Sequence, residues 1–355
     1  MNTRLRIVDL RIEDIAFGGK GVGRENGKAV FVPLTIDGES VTAEIVREKK
    51  QFAEAELVDL RERSNYRVEP ACPYFGRCGG CAYQHIDYEH QLAIKWRQVR
   101  DALKRIGKLT DVSIRPIVPS PLPYSYRNRI TIHAQDDVIG FFRRDSHQLI
   151  DIERCPIAMD EVNRNLAELR AHKPPEGHYT LRAGSGPRVF SQTNDAVASA
   201  LRDLIVGMVP ANQKLLIDAY CGAGFFAKAF LDKFERITGI DWDKFAIEAA
   251  KENATGKETY FTGDVEEELK RISGKPDVLI ADPPATGLTS NVRQAIVDLA
   301  PKTLVYVSCN PPTLARDLAE LQRRFKIESV TPLDMFPQTA EIEAVAHLVR
   351  RRTGV

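Results

Sequence analysis

The chain has almost no net charge. Fifty Lys and Arg residues stand against 49 Asp and Glu, a formal +1 over 355 residues. No global field marks it as a nucleic-acid binder, and any basic surface has to be local. It has no apolar run approaching bilayer length, and Met1-Asn2-Thr3-Arg4 leads into no signal-peptide core. We therefore expect a cytoplasmic protein with no membrane partner. Cysteines are few: Cys72, Cys78, Cys81, Cys155, Cys221 and Cys309. In a reducing compartment, clustered cysteines point to metal or catalysis rather than to disulfides. A complete dinucleotide fingerprint is also lacking, because Cys221-Gly222-Ala223-Gly224 supplies a glycine loop without an evident pyrophosphate cradle. Hydrophobic content of 43% still provides a core for two or three domains.

Residues 1–62 read as a small all-β domain. Leu5–Leu10, Ala29–Val32, Glu44–Arg47 and Ala55–Val58 alternate in polarity, with turns at Gly18–Gly23 and Gly38. Short strands joined by glycine turns predict an oligonucleotide-binding type of barrel. No helix follows the glycine loop, so it lacks a helix-terminus anion site. Lys20, Arg24 and Lys28 fall on the loop side, and Lys49-Lys50 on another edge.

Residues 63–187 form a central part. Cys72, Cys78 and Cys81 are spaced C-x5-C-x2-C. Three thiolates need a fourth ligand for a tetrahedral zinc or a cubane cluster, and Cys155 is the candidate before the sheet domain begins. Spacing alone does not separate zinc from iron–sulfur. Leu92, Trp96, Val99, Leu103 and Ile106 recur at helical spacing, with Lys95, Arg97, Arg100, Lys104 and Arg105 around a solvated basic side. Tyr124–His133 reads as a strand bearing arginine and aromatics, with Gly140–Arg144 as hairpin partner; this mixture suits phosphate contacts and base stacking, and equally an ordinary half-buried sheet. Residues 172–187, with Pro174, Pro175, Gly177, Gly184 and Gly186, read as a linker.

From about residue 188, strands alternate with helices, the pattern of a parallel sheet. Leu215–Asp218, Ile237–Asp241, Tyr260–Asp264, Asp277–Asp282 and Leu304–Ser308 are the strands, and Ile327–Phe336 and Glu343–Arg350 can close the sheet. A carboxylate at Asp241 can accept both ribose hydroxyls of a nucleoside cofactor, and Asp264 can receive an adenine amino group. These acids fit S-adenosylmethionine better than a dinucleotide. Cys309 stands where the fifth strand ends, before the Asn310-Pro311 turn. A thiol on that rim can act as a nucleophile, the alternative being an inert buried cysteine.

Several stretches together resemble the RNA uracil-5-methyltransferase family. They are Phe190-Ser191-Gln192-Thr193-Asn194, Asp218 to Gly224, Asp282-Pro283-Pro284 through Leu288, Ser308-Cys309-Asn310-Pro311 through Leu318, and Phe336-Pro337 through Glu343. The branch resembled carries an N-terminal TRAM domain and a [4Fe-4S] cluster. The resemblance implies an α/β architecture: a TRAM/OB-like barrel over 1–62, an iron–sulfur and RNA-binding domain over 63–187, and a Rossmann-like S-adenosylmethionine methyltransferase domain over 188–355. It implies that Cys309 adds to C6 of a flipped-out uracil and that Glu343 removes the C5 proton after methylation. It implies that Gln192, Asp218, Gly222, Asp241, Asp264 and Asp282 bind or adjoin the cofactor, and that Cys72, Cys78, Cys81 and Cys155 hold the cluster. The expected partner is RNA, ribosomal rather than transfer RNA, and the expected state is a monomer. The sequence departs from the family at Ala285, where arginine is common, and at Glu341, where histidine is common. The stretch from Cys155 to Phe190 is also short for the branch. Competing readings are a tRNA uracil-5-methyltransferase, an RNA cytosine-5-methyltransferase and a non-catalytic RNA-binding protein.

Overall fold

A computed structural model describes residues 6–184 and 192–352. The first five residues, the end of the expected linker with its boundary at 187/188, and Phe190-Ser191 of the motif lie outside the described residues. Two compact units divide the chain. One comprises Met1–Gln98, Leu122–Ala183 and Phe336–Glu341; the other comprises Val99–Pro121, Gly184–Met335 and Ile342–Val355.

In the first unit, β1 (Arg6–Ile15), β2 (Gly21–Glu25), β3 (Lys28–Val32), β4 (Ser40–Glu48) and β5 (Phe52–Glu62) close into a barrel ordered β1-β2-β3-β5-β4. Alternation turns Val8, Leu10, Ile12, Val30, Val32, Val41 and Ala43 inward to form its core. The basic residues expected on the loop side are paired with acids: Lys20 with Glu54 at 3.2 Å, Arg24 with Glu13 at 3.4 Å and Lys28 with Glu48 at 2.8 Å.

The helix α1 (Tyr88–Arg105) follows. Its apolar stripe is as expected at Leu92, Val99 and Leu103, but Ile106 is exposed and Lys95 is fully buried. Lys95 Nζ donates to Phe336 O at 2.9 Å and lies over the Tyr83 ring. A buried ammonium needs such partners, and a periodicity count treats any lysine as a solvent residue. Next come β6 (Arg129–Gln135), β7 (Val138–Phe142), β8 (Leu149–Asp151), α2 (Asp160–Ala171) and β9 (Gly177–Arg182), giving a four-stranded sheet ordered β8-β7-β6-β9. Ile130, Ile132, Ala134 and Ile139 pack with Val162 and Leu166 of α2 on one face. The expected linker is thus partly wrong: β9 lies inside it and pairs along β6. Its Tyr-Thr-Leu run suits a strand, but proline and glycine on either side masked it.

The second unit contains α3 (Asp195–Met208), β10 (Gln213–Ala219), α4 (Phe225–Ala229), β11 (Phe234–Asp241), α5 (Lys244–Glu252), β12 (Glu258–Thr262), α6 (Val265–Arg271), β13 (Val278–Ala281), α7 (Ser290–Leu299), β14 (Thr303–Ser308), α8 (Pro311–Leu321), β15 (Phe325–Leu333) and β16 (Glu343–Arg350). The seven strands are ordered β12-β11-β10-β13-β14-β16-β15, with β16 antiparallel to both neighbours and the others parallel. Near-continuous burial of β10, β13 and β14 reflects a sheet covered on both faces. The order reverses beside β10, which opens a ligand crevice beyond the carboxyl ends of the strands.

Candidate active site

The carboxyl rim of the sheet collects most of the chemistry-bearing residues. Asp218 is fully buried, one residue short of the end of β10. Its Oδ2 accepts from Ala227 N at 2.9 Å, while Oδ1 is buried with no hydrogen-bond partner among the described residues. Burial pushes this carboxyl up to about 8, with the charges of Asp282 and Asp241 adding to the rise. Asp241 ends β11 and holds the glycine loop: Oδ2 accepts from Gly222 N at 2.8 Å and Oδ1 from Asp243 N at 2.9 Å. Asp243 caps α5 as expected. The third strand stops at Thr262, two residues before Asp264, whose carboxylate caps α6 through Glu266 N and Glu267 N. Asp282 follows β13. Solvent reaches part of it, yet desolvation pushes its carboxyl up to about 7, helped by Asp241.

The glycine loop is built for close approach. Gly224 has φ +79, and a Cβ there would stand 2.6 Å from Tyr260 Oη. A Cβ on Gly239, in the middle of β11, would collide with the Tyr260 ring. Tyr260 therefore packs directly under the loop, and its buried hydroxyl has no hydrogen-bond partner among the described residues. Sequence reasoning missed this residue; a glycine inside a strand was the available signal.

Cys309 and Glu343 each adjoin the last pair of one strand register. β14 pairs antiparallel with β16, and the last pair is Ser308 with Ala344. Cys309 follows directly beyond the end of β14, and Glu343, the first residue of β16, precedes Ala344 and pairs with Leu333 of β15. Cys309 is half-buried and Glu343 is 4% exposed. Asn310 caps α8 by accepting from Thr313 N, and Pro311 opens the helix, which fixes the turn that carries the thiol. Glu341, exposed, precedes β16 and is not part of the strand.

A buried network fixes the loop after Asp282. Asp317 accepts from Tyr306 Oη at 2.7 Å, Leu288 N at 2.9 Å, Arg293 Nη1 at 2.9 Å and Arg316 Nε at 2.8 Å. Arg293 also donates to Leu288 O, and Arg316 Nη2 to Thr286 O at 3.0 Å. These anchors lie beside Ala285, whose carbonyl accepts from Thr313 Oγ1 at 3.2 Å. Gln192 is half-buried near Asn194, whose Nδ2 donates to Met335 O beyond the end of β15. That bond places the 192–194 stretch at the far end of the same rim.

The four remaining expected ligands are brought together in the first unit. Cys72, Cys78, Cys81 and Cys155 all line one cavity of about 280 Å³, with Gln84, Arg127 and Arg154 on its walls. Gln84 Oε1 accepts from Cys72 N at 3.1 Å, and Gly80 N donates to Cys78 Sγ at 3.4 Å. Burial pushes the thiols of Cys81 and Cys155 up to about 12 and about 11, and each is raised further by neighbouring cysteines of the set. Four such thiols become thiolates together only against a cationic centre. Among the described residues, no group of three or more His, Cys, Asp or Glu side chains is arranged to hold a metal ion. No helix among them is long and apolar enough to cross a membrane.

The sequence profile for tRNA (Uracil-5-)-methyltransferase matches residues 267–351, that for the TRAM domain matches 3–58, and that for a methyltransferase small domain matches 180–307. The chain is 34% identical to an RNA methyltransferase of Bdellovibrio bacteriovorus, with 96% of this chain and 94% of the relative covered. It is 30% identical to one of Protochlamydia amoebophila, covering 96% and 97%. Among solved structures, the tRNA (uracil-54, C5)-methyltransferase of Pyrococcus abyssi, in complex with S-adenosyl-L-homocysteine, superposes with a TM-score of 0.72 at 25% identity, covering 96% of this chain and all of that one.

Proposed function

The chain belongs to the RNA uracil-5-methyltransferase family, as an S-adenosylmethionine-dependent enzyme with an N-terminal TRAM domain, and from that premise we propose that it forms 5-methyluridine in RNA through a covalent adduct on Cys309. The observation that supports this reading is the β14–β16 register, whose last pair, Ser308 with Ala344, leaves Cys309 and Glu343 as the next residue on either side at the sheet rim.

Uracil C5 is a weak nucleophile while the 5,6-double bond is conjugated with the carbonyl. Cys309 adds as thiolate to C6, and the electron pair moves to C5 and O4. S-adenosylmethionine, when bound, supplies an electrophilic methyl group to C5. Glu343 then takes the C5 proton, the double bond re-forms, and the Cys309 thiolate leaves. Reaching C6 requires the base to leave its stack. For the cofactor we assign Asp241 and Gly222 as the ribose-side loop, Asp264 to the adenine side, and Asp218, Asp282 and Gln192 to the end near the methyl group. The buried Asp218 Oδ1, with no hydrogen-bond partner among the described residues, fits a polar or cationic ligand group at this end.

We assign Cys72, Cys78, Cys81 and Cys155 to a [4Fe-4S] cluster. Four cysteines lining one cavity can hold a tetrahedral zinc or a cubane, and the resemblance of the Cys72, Cys78, Cys81 and Cys155 set to the iron–sulfur branch carries the choice of the cluster. The RNA is read as ribosomal from the pairing of TRAM barrel and cysteine cavity. The position-54 tRNA substrate in the name of the Pyrococcus abyssi enzyme favours transfer RNA as the second reading. The test is transfer of labelled methyl groups from S-adenosylmethionine to ribosomal and transfer RNA, followed by nucleoside analysis. Labelled 5-methyluridine is expected; labelled 5-methylcytidine, or no transfer to either RNA, overturns the reading.

A further inference from the structure

The four-stranded sheet of the first unit has one face sealed by α2 and a second face that the proposed chemistry does not use. On β6 the residues opposite the buried Ile130, Ile132 and Ala134 are Arg129, Thr131 and His133. Register pairs each with a like residue on β9: Arg129 with Arg182, Thr131 with Thr180 and His133 with His178. The rings form a continuous row across three strands. His178 lies 4.5 Å from His133 edge-on, His133 lies 4.3 Å from Phe142 on β7, and Phe142 lies 5.9 Å from His147 in the turn beyond. His178 and His147 are exposed; His133 and Phe142 are half-exposed.

We propose that this open sheet face is a stacking platform for single-stranded stretches of the RNA substrate, with bases on the His178–His133–Phe142 row and phosphates at the Arg129–Arg182 end. The inference rests on the RNA-methyltransferase reading and adds a docking surface to it. Charge complementarity selects the occupant. Arg127 and Arg182 stand close enough to Arg129 to oppose its charge, so positive charge is concentrated at one end. Of the acids around the sheet, Asp151 is held by both guanidinium nitrogens of Arg170 at 2.7 and 2.8 Å, Asp136, Asp137 and Glu176 sit at the other end, and Asp145, in the turn after β7, interacts with Arg144. Planar rings in a row, hydroxyls between them and arginines at one end match a base-and-phosphate repeat. The barrel, whose basic side chains are largely paired with acids, offers no comparable concentration of rings.

The experiment titrates the full chain with a uridine-rich, single-stranded 20-mer RNA carrying 2-aminopurine, at several salt concentrations. Wild type should bind and quench the 2-aminopurine. Phe142→Leu and His133→Leu keep bulk but lose the ring; each should weaken binding about 5- to 150-fold, relieve quenching and leave the salt slope unchanged. Arg182→Gln should keep quenching and reduce the salt slope by about one. Unchanged affinity and quenching in both ring variants overturn the platform, as does a ring variant whose loss is carried by the salt slope. A wild type that sediments as a dimer while Phe142→Leu sediments as a monomer would give the face to a second copy of the chain and also overturn it. Failure of the platform leaves the Cys309 adduct with 5-fluorouridine RNA intact, whereas failure of the methyltransferase reading removes that adduct and leaves the binding curves as they are.

Discussion

Replacing Asp317 by alanine should damage this protein more than any surface change, through a cost that the structure allows to be worked out. The carboxylate is fully buried and accepts four hydrogen bonds, two of them from arginines. Its main charge partner, Arg293, is 9% exposed. Removing one member of a buried pair costs about 3–5 kcal/mol, because the other charge stays behind. Glu320 still holds Arg293 through bonds of 2.8 and 2.9 Å, which places Asp317→Ala near the lower end, about 3 kcal/mol. That is a large share of a typical stability of about 5–15 kcal/mol. Arg293→Met in the same chain removes the orphaned charge, so the double variant should lose clearly less than the sum of the two single losses. Urea unfolding gives the energies, and hydrogen exchange at the Leu288 amide reports the loop directly. A single-variant loss below about 1 kcal/mol, or strict additivity, would show that the network does not hold the loop.

Three further outcomes follow from the geometry. Asp218 and Asp282 have folded values near 8 and 7, above the ordinary carboxylate value, so the folded chain keeps protons that the unfolded chain has released. Their contribution to stability is full below about pH 4 and is lost as pH rises through 7 to 8; melting temperatures of the cofactor-free chain should fall over that range, and Asp218→Asn should flatten the fall. Protein purified anaerobically should be brown with about four irons, and Cys155→Ser should lose the iron; stoichiometric zinc without iron contradicts the cluster. Glu343→Gln should methylate once and stay attached to its RNA as a slow band on a denaturing gel, with turnover down about 10²–10⁴-fold. If Glu341→Gln traps the adduct instead, the base is the wrong carboxylate.

Much of this was legible in the sequence, for identifiable reasons. The strands after residue 213 announce themselves through unbroken apolar runs, and the barrel through alternation. Cys309 was placed at a strand end by the Asn-Pro turn, and Glu343 by resemblance. That the two residues adjoin paired strand ends was not visible, because it depends on β16 inserting antiparallel between β14 and β15, and local pattern carries no pairing order. Lys95 and Asp317 were missed for a related reason: burial of a charged side chain is decided by partners far away in sequence. β9 was missed because its flanking proline and glycine outweighed a short strand signal. Asp264 was read as the end of a strand, whereas its carboxylate caps the following helix, a role open to any Asp at such a junction.

The covalent chemistry of Cys309 is the central claim, and one measurement addresses it directly. Wild-type protein is incubated with S-adenosylmethionine and RNA in which 5-fluorouridine replaces uridine, then digested and analysed by mass spectrometry. Fluorine at C5 cannot leave as a proton, so the reaction should stop after methylation, with a methylated fluorouridine bonded to the peptide containing Cys309 and no adduct in Cys309→Ala. An adduct on Cys221 or elsewhere, or active methylation of ordinary RNA with no adduct on the fluorinated one, would contradict the account.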